Sequence, residues 1–259
     1  MGKDNIITKV AIVGSTKLTL MSMTEIEKLD THKILYVFGL SDKSKKAKVN
    51  STQLGEFCNA HNIILDESED WDNFYQYCTN ASIDLIITLG DSRIVPKQIV
   101  NNFETIGNHG AILPGVQGGA SLVWGRMLNY NYWNVAIMRI GEKVDSGEIL
   151  KTSHFDYHDH ASEHYFTTKA DKETVSILID VLRGDYSPIP NEKWQVRIAK
   201  HTDSYLVTQI LKFCLDNNIP VYLPPRTPTD ANVKSEWPED FIEVFKKANN
   251  DPYPKWRNQ

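Results

Sequence analysis

The sequence predicts an α/β protein: a mostly parallel, Rossmann-like sheet with helices on both faces, followed by a small C-terminal accessory region. Three observations predict it. Short β-branched runs recur through the first half of the chain. They are continuously apolar, the pattern of strands covered on both faces, rather than alternating. Polar stretches with helical spacing separate them, so strand–helix–strand repetition implies right-handed crossovers onto a parallel sheet.

In chain order, Val10–Gly14, Lys33–Gly39, Asn62–Leu65 and Ile83–Gly90 read as strands. Between them, Leu54, Phe57 and Cys58 fall at i, i+3 and i+4 and mark one apolar helix face; Trp71, Phe74, Tyr75 and Cys78 mark another. A glycine-rich stretch, Ile106–Ser121, reads as a loop before a helix over Ser121–Tyr130. A strand over Trp133–Ile140, a tight turn at GEKVDSG and a strand over Glu148–Phe155 follow. The helix predicted from Ala161 to Arg183 has Gly184 placed as its left-handed cap. DYSPIPNEKW is turn-rich and marks a boundary near residue 185. Beyond it, helices are predicted over Ser204–Asp216 and Asp240–Ala248, with a short strand over Pro220–Leu223.

Composition narrows the function classes. With 28 basic and 33 acidic residues the formal charge is −5, which disfavours an electrostatic nucleic-acid binder. No apolar run approaches the ~18–20 residues of a membrane span, and Met1–Val10 lacks the apolar stretch of a signal peptide. Three scattered cysteines, Cys58, Cys78 and Cys214, read as free thiols of a reducing cytoplasm.

Ligands of open α/β sheets bind beyond the carboxyl ends of the strands, and two loops there carry polar chemistry. Gly14, Ser15, Thr16 and Lys17 end the first strand; they suit either an ordinary turn or contact with an acceptor's phosphate. The segment GNHGAILPGVQGG holds His109 as its one titratable side chain, with Asn108 beside it as a hydrogen-bond donor that never titrates. Asp145, in the VDSGEIL turn, is a carboxylate able to orient that imidazole. His154, His158, His160 and His164 cluster with Asp156, Asp159 and Glu163. His160 and His164 stand i, i+4, a zinc-compatible spacing, but no HExxH forms and a solvated turn with an acidic helix start accounts better for them. No metal site is expected.

The order and spacing of these pieces resemble the N10-formyltetrahydrofolate-dependent formyltransferases over about residues 8–185. His109 precedes Pro114 by five residues in HGAILP, as in the family's N-x-H-P-S-L-L-P; Asp145 opens DSGEIL; Asp84–Val100, DLIITLGDSRIVPKQIV, is similar to the family's pterin-loop segment. The chain departs from the pattern at Gly107, where the family has asparagine, at Gly110, where it has proline, and at Gln117, where arginine is common.

The resemblance implies a catalytic domain over 1–185 and an accessory region over 186–259. It implies N10-formyltetrahydrofolate as co-substrate, with the pterin held by Leu89, Gly90, Asp91, Arg93, Ile94 and Val95, and by Gly141 and Val144. It assigns catalysis to His109 and Asp145, with Asn108 as candidate oxyanion donor. The layout after residue 185 is similar to that of the nucleotide-sugar N-formyltransferases, whose acceptor is the amine of a nucleoside-diphosphate-linked amino sugar. Gly14, Ser15 and Lys17 are then acceptor-binding candidates, and Trp194, Arg197, Tyr222 and Arg226 are of the right type for base and diphosphate. A glycinamide-ribonucleotide transformylase and a non-catalytic folate- or nucleotide-binding relative remain open as alternatives. A homodimer is the family habit, and the tail aromatics Trp237, Phe241 and Phe245 either supply an interface or cover the sheet.

Overall fold

The computed structural model describes residues 7–258 except 49, 112, 114, 158–161, 192–194, 201 and 251–254, with backbone only at 47, 163 and 228. The chain runs β1 (Thr8–Val13), α1 (Lys17–Ile26), β2 (His32–Phe38), α2 (Asp42–Ala47), α3 (Gly55–Ala60) and β3 (Ile64–Asp66). It continues through α4 (Trp71–Ala81), β4 (Leu85–Thr88), α5 (Lys97–Asn102), β5 (Glu104–His109), β6 (Val116–Gly118) and α6 (Ser121–Met127). Then come β7 (Tyr132–Arg139), β8 (Ile149–Asp156), α7 (Glu163–Leu182), β9 (Val196–Arg197) and α8 (Ser204–Asp216). β10 (Val221–Leu223), β11 (Asn232–Val233), α9 (Glu239–Ala248) and β12 (Arg257–Asn258) follow.

The main sheet has the order β3-β2-β1-β4-β5-β7-β8. The five strands from β3 to β5 are parallel, and β7 runs antiparallel to both β5 and β8. This is the predicted mostly parallel sheet. Its faces are covered separately. Leu18, Met23 and Ile26 of α1 share a core with Ile12, Ile87 and Ile106. Phe74 and Cys78 of α4 and Ile99 of α5 pack against Ala11, Val13 and Ile86. Local caps fix the helix ends. Thr16 and Thr19 form a reciprocal capping box on α1, Asp70 accepts from two amides of α4, and Gly184 takes φ +81 after α7.

The glycine-rich stretch is less loop-like than expected. Its start lies in β5, which runs on to His109, and Val116–Gly118 forms β6. Glycine and asparagine are poor strand formers, but β5 is held by β4 on one side and β7 on the other. Neighbouring strands override the local preference.

The accessory region is tied to that stretch. β10 lies between β6 and β9, parallel to both, in the register Val221↔Val116, Tyr222↔Gln117 and Leu223↔Gly118. Gly118 has φ +100, and a Cβ there would come within 2.2 Å of the Leu223 carbonyl, so no larger residue fits. Trp237 meets Phe241 and Phe245 edge-on, Phe241 meets Tyr205 of α8 edge-on, and α9 packs against α6. Trp237, Phe241 and Phe245 are all buried in the core that also holds Ile12 and Ile87 of the main sheet. The three cysteines are buried and unbridged, and burial pushes the Cys58 and Cys78 thiols up to about 11 and about 12.

Candidate active site

β5 ends among the carboxyl ends of the parallel strands and delivers His109, which is 6% exposed, to that edge. One ring nitrogen, Nε2, lies 2.9 Å from the Val116 carbonyl. A carbonyl only accepts, so Nε2 carries hydrogen and donates. The other nitrogen, Nδ1, faces Asp145 Oδ1 at 3.6 Å. The imidazole is thus clamped between a backbone acceptor and a carboxylate.

Asp145 is itself fixed. Its Oδ2 accepts from the Gly118 amide at 2.9 Å, and its backbone sits at φ +50. That left-handed conformation is uncommon outside glycine, though aspartate tolerates it better than most residues. The turn closes tightly around it, with Gly147 against the Arg139 carbonyl where a side chain has no room. The structure therefore brings together the histidine and the carboxylate singled out from sequence.

Asn108 stands differently. Consecutive strand residues point to opposite faces, and Asn108 precedes His109 within β5. Its Oδ1 accepts from the Gly90 amide at 2.8 Å, while Nδ2 makes no hydrogen bond among the described residues. Gly107, two residues before His109, shares its face. A Cβ at Gly107 would lie 2.2 Å from Thr88 Oγ1 and 2.7 Å from Ile140 Cδ1, so those two side chains fill the space.

The loop after β4 is braced from within. Arg93 pairs with Asp91 at 2.7 Å, donates to the Phe38 and Gly39 carbonyls, and lies over the Phe38 ring. Both side chains are spent on holding the loop. Leu89 is buried, Gly90 takes φ +61 and Val95 packs on the α4 side of the sheet. Ile94 and, across the turn that contains Gly141, Val144 are left 76% and 47% exposed. Lys48, which sequence reasoning missed, donates to Ser92; burial pulls its ammonium down, partly offset by Asp91.

The segment after β1 is mostly committed to structure. Gly14 lies against the Leu89 carbonyl, Ser15 Oγ accepts from the Leu40 amide, Thr16 caps α1, and the Lys17 amide donates to Asn50. The Lys17 side chain is exposed, and its charge reaches Asp171 of α7. Burial pushes the Asp171 carboxyl up to about 6 despite Lys17.

Of the accessory candidates, Arg226 serves packing: it lies over Trp124 and donates to Asp230 and Asn249. Arg197 lies over the Tyr222 ring, with its guanidinium carbon 4.5 Å from the centroid. Burial and the Asp145 carboxylate raise the Tyr222 phenol, with Arg197 acting against them. Trp194 lies outside the described residues, as do His158, Asp159 and His160; His154 and His164 are exposed. Among the described residues no three potential ligands gather around a metal-sized site, and no helix is long and apolar enough to cross a membrane.

A mostly parallel sheet with helices on both faces, which ends in a His–Asp pair beside a braced loop, defines an α/β protein with a candidate site at its strand ends. Within that class the chain belongs to the formyl transferase family, whose model matches residues 8–182. The methionyl-tRNA formyltransferase of Prochlorococcus marinus (strain MIT 9312) is 28% identical over 126 residues, covering 46% of this chain and 38% of that protein. The match thus spans well under half of the curated relative. The solved methionyl-tRNA formyltransferase from Clostridium thermocellum superposes with a TM-score of 0.66 at 13% identity, over 98% of this chain and 88% of that one. WlaRD, a sugar 3N-formyl transferase solved in the presence of dTDP and 5-N-formyl-THF, superposes with a TM-score of 0.55 at 18% identity, over 83% and 82%. At these identities the superpositions speak for the fold.

Proposed function

We propose that the protein is an N-formyltransferase that moves a formyl group from N10-formyltetrahydrofolate to the amine of a nucleotide-linked amino sugar. The observation that carries this reading is the His109–Asp145 pair, with Asp145 locked onto the Gly118 amide at the end of the parallel strands.

The donor supplies an activated formyl carbon; this chain's residues position it and manage the protons. The Leu89–Val95 loop and the turn carrying Gly141 and Val144 receive the pterin, with the exposed Ile94 and Val144 giving it apolar edges to displace water from. Asp91 and Arg93 set the shape of that loop. As the acceptor nitrogen bonds to the formyl carbon, His109 stabilises the tetrahedral oxyanion or takes the proton that the nitrogen sheds. Asp145 keeps the imidazole oriented, and the proton passes to the folate N10 as the carbon–N10 bond breaks. Asn108 Nδ2 is the candidate second donor to the oxyanion.

For the acceptor, Arg197 stacked on Tyr222 offers a cation beside the pair, Lys17 offers another near Gly14 and Ser15, and both suit a diphosphate. The likeness to WlaRD supports the same class. A second reading, methionyl-tRNA as acceptor, is favoured by the curated relative. Against it stands the accessory region, whose KSEWPEDFIEVFKK segment suits contact with a polyphosphate backbone poorly.

The test is loss of N10-formyltetrahydrofolate followed by absorbance, with nucleotide-linked amino sugars, glycinamide ribonucleotide and methionyl-tRNA as acceptors. Tetrahydrofolate release dependent on an amino sugar is the expected result. Release with charged tRNA alone transfers the assignment to the second reading, and folate binding without release under any acceptor points to a non-catalytic relative. Sedimentation of the same preparation tests the expected homodimer.

A further inference from the structure

We propose that Asn191, which lies beyond the segment that matches the family, is a positioning residue for Asp145 and makes the accessory region part of the active site. The inference rests on the proposed roles of His109 and Asp145.

Asp145 has two groups to fix: the carboxylate that faces His109 and the peptide that carries it. The carboxylate is held by the Gly118 amide. The peptide is held from the accessory side, where Asn191 Nδ2 donates to the Asp145 carbonyl at 2.7 Å. Asn191 is oriented in turn, because its Oδ1 accepts from Gln117 Nε2 at 3.3 Å. Gln117 is 2% exposed and stands in β6 directly opposite Tyr222 of β10. The chain of contacts thus runs from β10 through Gln117 and Asn191 into the turn. Just before Asn191, Ile189 exchanges both backbone hydrogen bonds with Ile149 at the start of β8, at 2.9 and 3.0 Å, which leaves the segment little freedom to swing away.

The geometry explains why a clamp is needed. At φ +50 the Asp145 backbone occupies a sparsely populated region, which the surroundings must enforce. If the peptide relaxes, the carboxylate leaves the imidazole, because among the described residues its other hydrogen bond is to a single amide, that of Gly118. Misplacing a catalytic group by about 1 Å costs on the order of 100-fold in rate.

Two variants test this on the full chain. Asn191→Ala removes both contacts. Asn191→Asp keeps the shape and the acceptor for Gln117 but removes the donor to Asp145. Both are expected to lower kcat about tenfold or more while KM for N10-formyltetrahydrofolate and Tm stay near those of the parent. Unchanged kcat in Asn191→Asp overturns the proposal, as does a fall in Tm with kcat intact. The nitrogen-15 signals of the His109 ring give a second readout that needs no turnover. They shift in both variants if Asp145 has moved and stay fixed if it has not. Should the parent protein turn over no acceptor, the proposed function falls, and these ring signals alone decide whether Asn191 positions Asp145.

Discussion

His109 is hydrogen-bonded through Nε2 to the Val116 carbonyl and faces Asp145 across 3.6 Å with Nδ1, so its chemistry depends on small displacements of its neighbours. His109→Ala and Asp145→Asn are each expected to abolish measurable turnover without unfolding the protein; near-parental tetrahydrofolate release in either removes that residue from catalysis. Asn108 calls for a finer cut. Asn108→Asp keeps an oxygen for the Gly90 amide and removes the Nδ2 donor. If that donor serves the oxyanion, kcat is expected to fall ~10²–10³-fold, and an unchanged kcat confines Asn108 to bracing Gly90. At this scale the sequence displayed His109 and Asp145 because the family pattern spaces them by type. It did not display the Val116 carbonyl or the Gly118 amide, since backbone atoms carry no residue signature. Nor did it display Asn191, whose role depends on a turn it meets only in three dimensions.

Among the elements, the apolar strands and amphipathic helices were legible, down to the short β3, α3 and β10. The sequence reading of Ser204–Asp216 coincides with α8, whereas α2, α5 and β6 were not read as elements. β5 was hidden because its last residues are Gly107, Asn108 and His109, and only pairing with β4 and β7 makes them a strand. That pairing also closes off the simplest attempt to restore the family's N-x-H order. Gly107→Asn would drive a side chain into Thr88 and Ile140, and a loss of ~1–3 kcal/mol is expected from overpacking. Urea denaturation of the variant checks it. Trimming Ile140 to alanine in the same chain is expected to recover part of the loss, and an unaltered midpoint in Gly107→Asn would mean that the space is freer than the backbone indicates.

Across the whole molecule, stability responds to pH through Asp171, where α7 passes α1. Its carboxyl is raised to about 6 by burial, above the ~3.9 of an unfolded aspartate, so the folded chain binds the extra proton between these values. Stability therefore falls as pH rises from about 4 to about 6, and the deficit persists above that. Asp171→Asn is expected to raise Tm at pH 7.5 and to leave it nearly unchanged at pH 4; an equal effect at both pH values would assign the gain to packing instead.

The accessory region shows how far the whole exceeded its legible parts. Its helices were foreseeable, but not the insertion of β10 beside β6, which joins strands about a hundred residues apart in the chain. Closing so long a loop costs entropy that local contacts cannot return early, and such pairings slow folding. On a ribosome, β1 through β8 can pair while the last quarter of the chain is still unmade. The Asp145 turn, however, waits for Leu223 to lie against Gly118. Synthesis itself thus sets the moment at which the edge that carries His109 and Asp145 is finished, and a nascent chain already folded in its main sheet has still to acquire the strand that braces its candidate site.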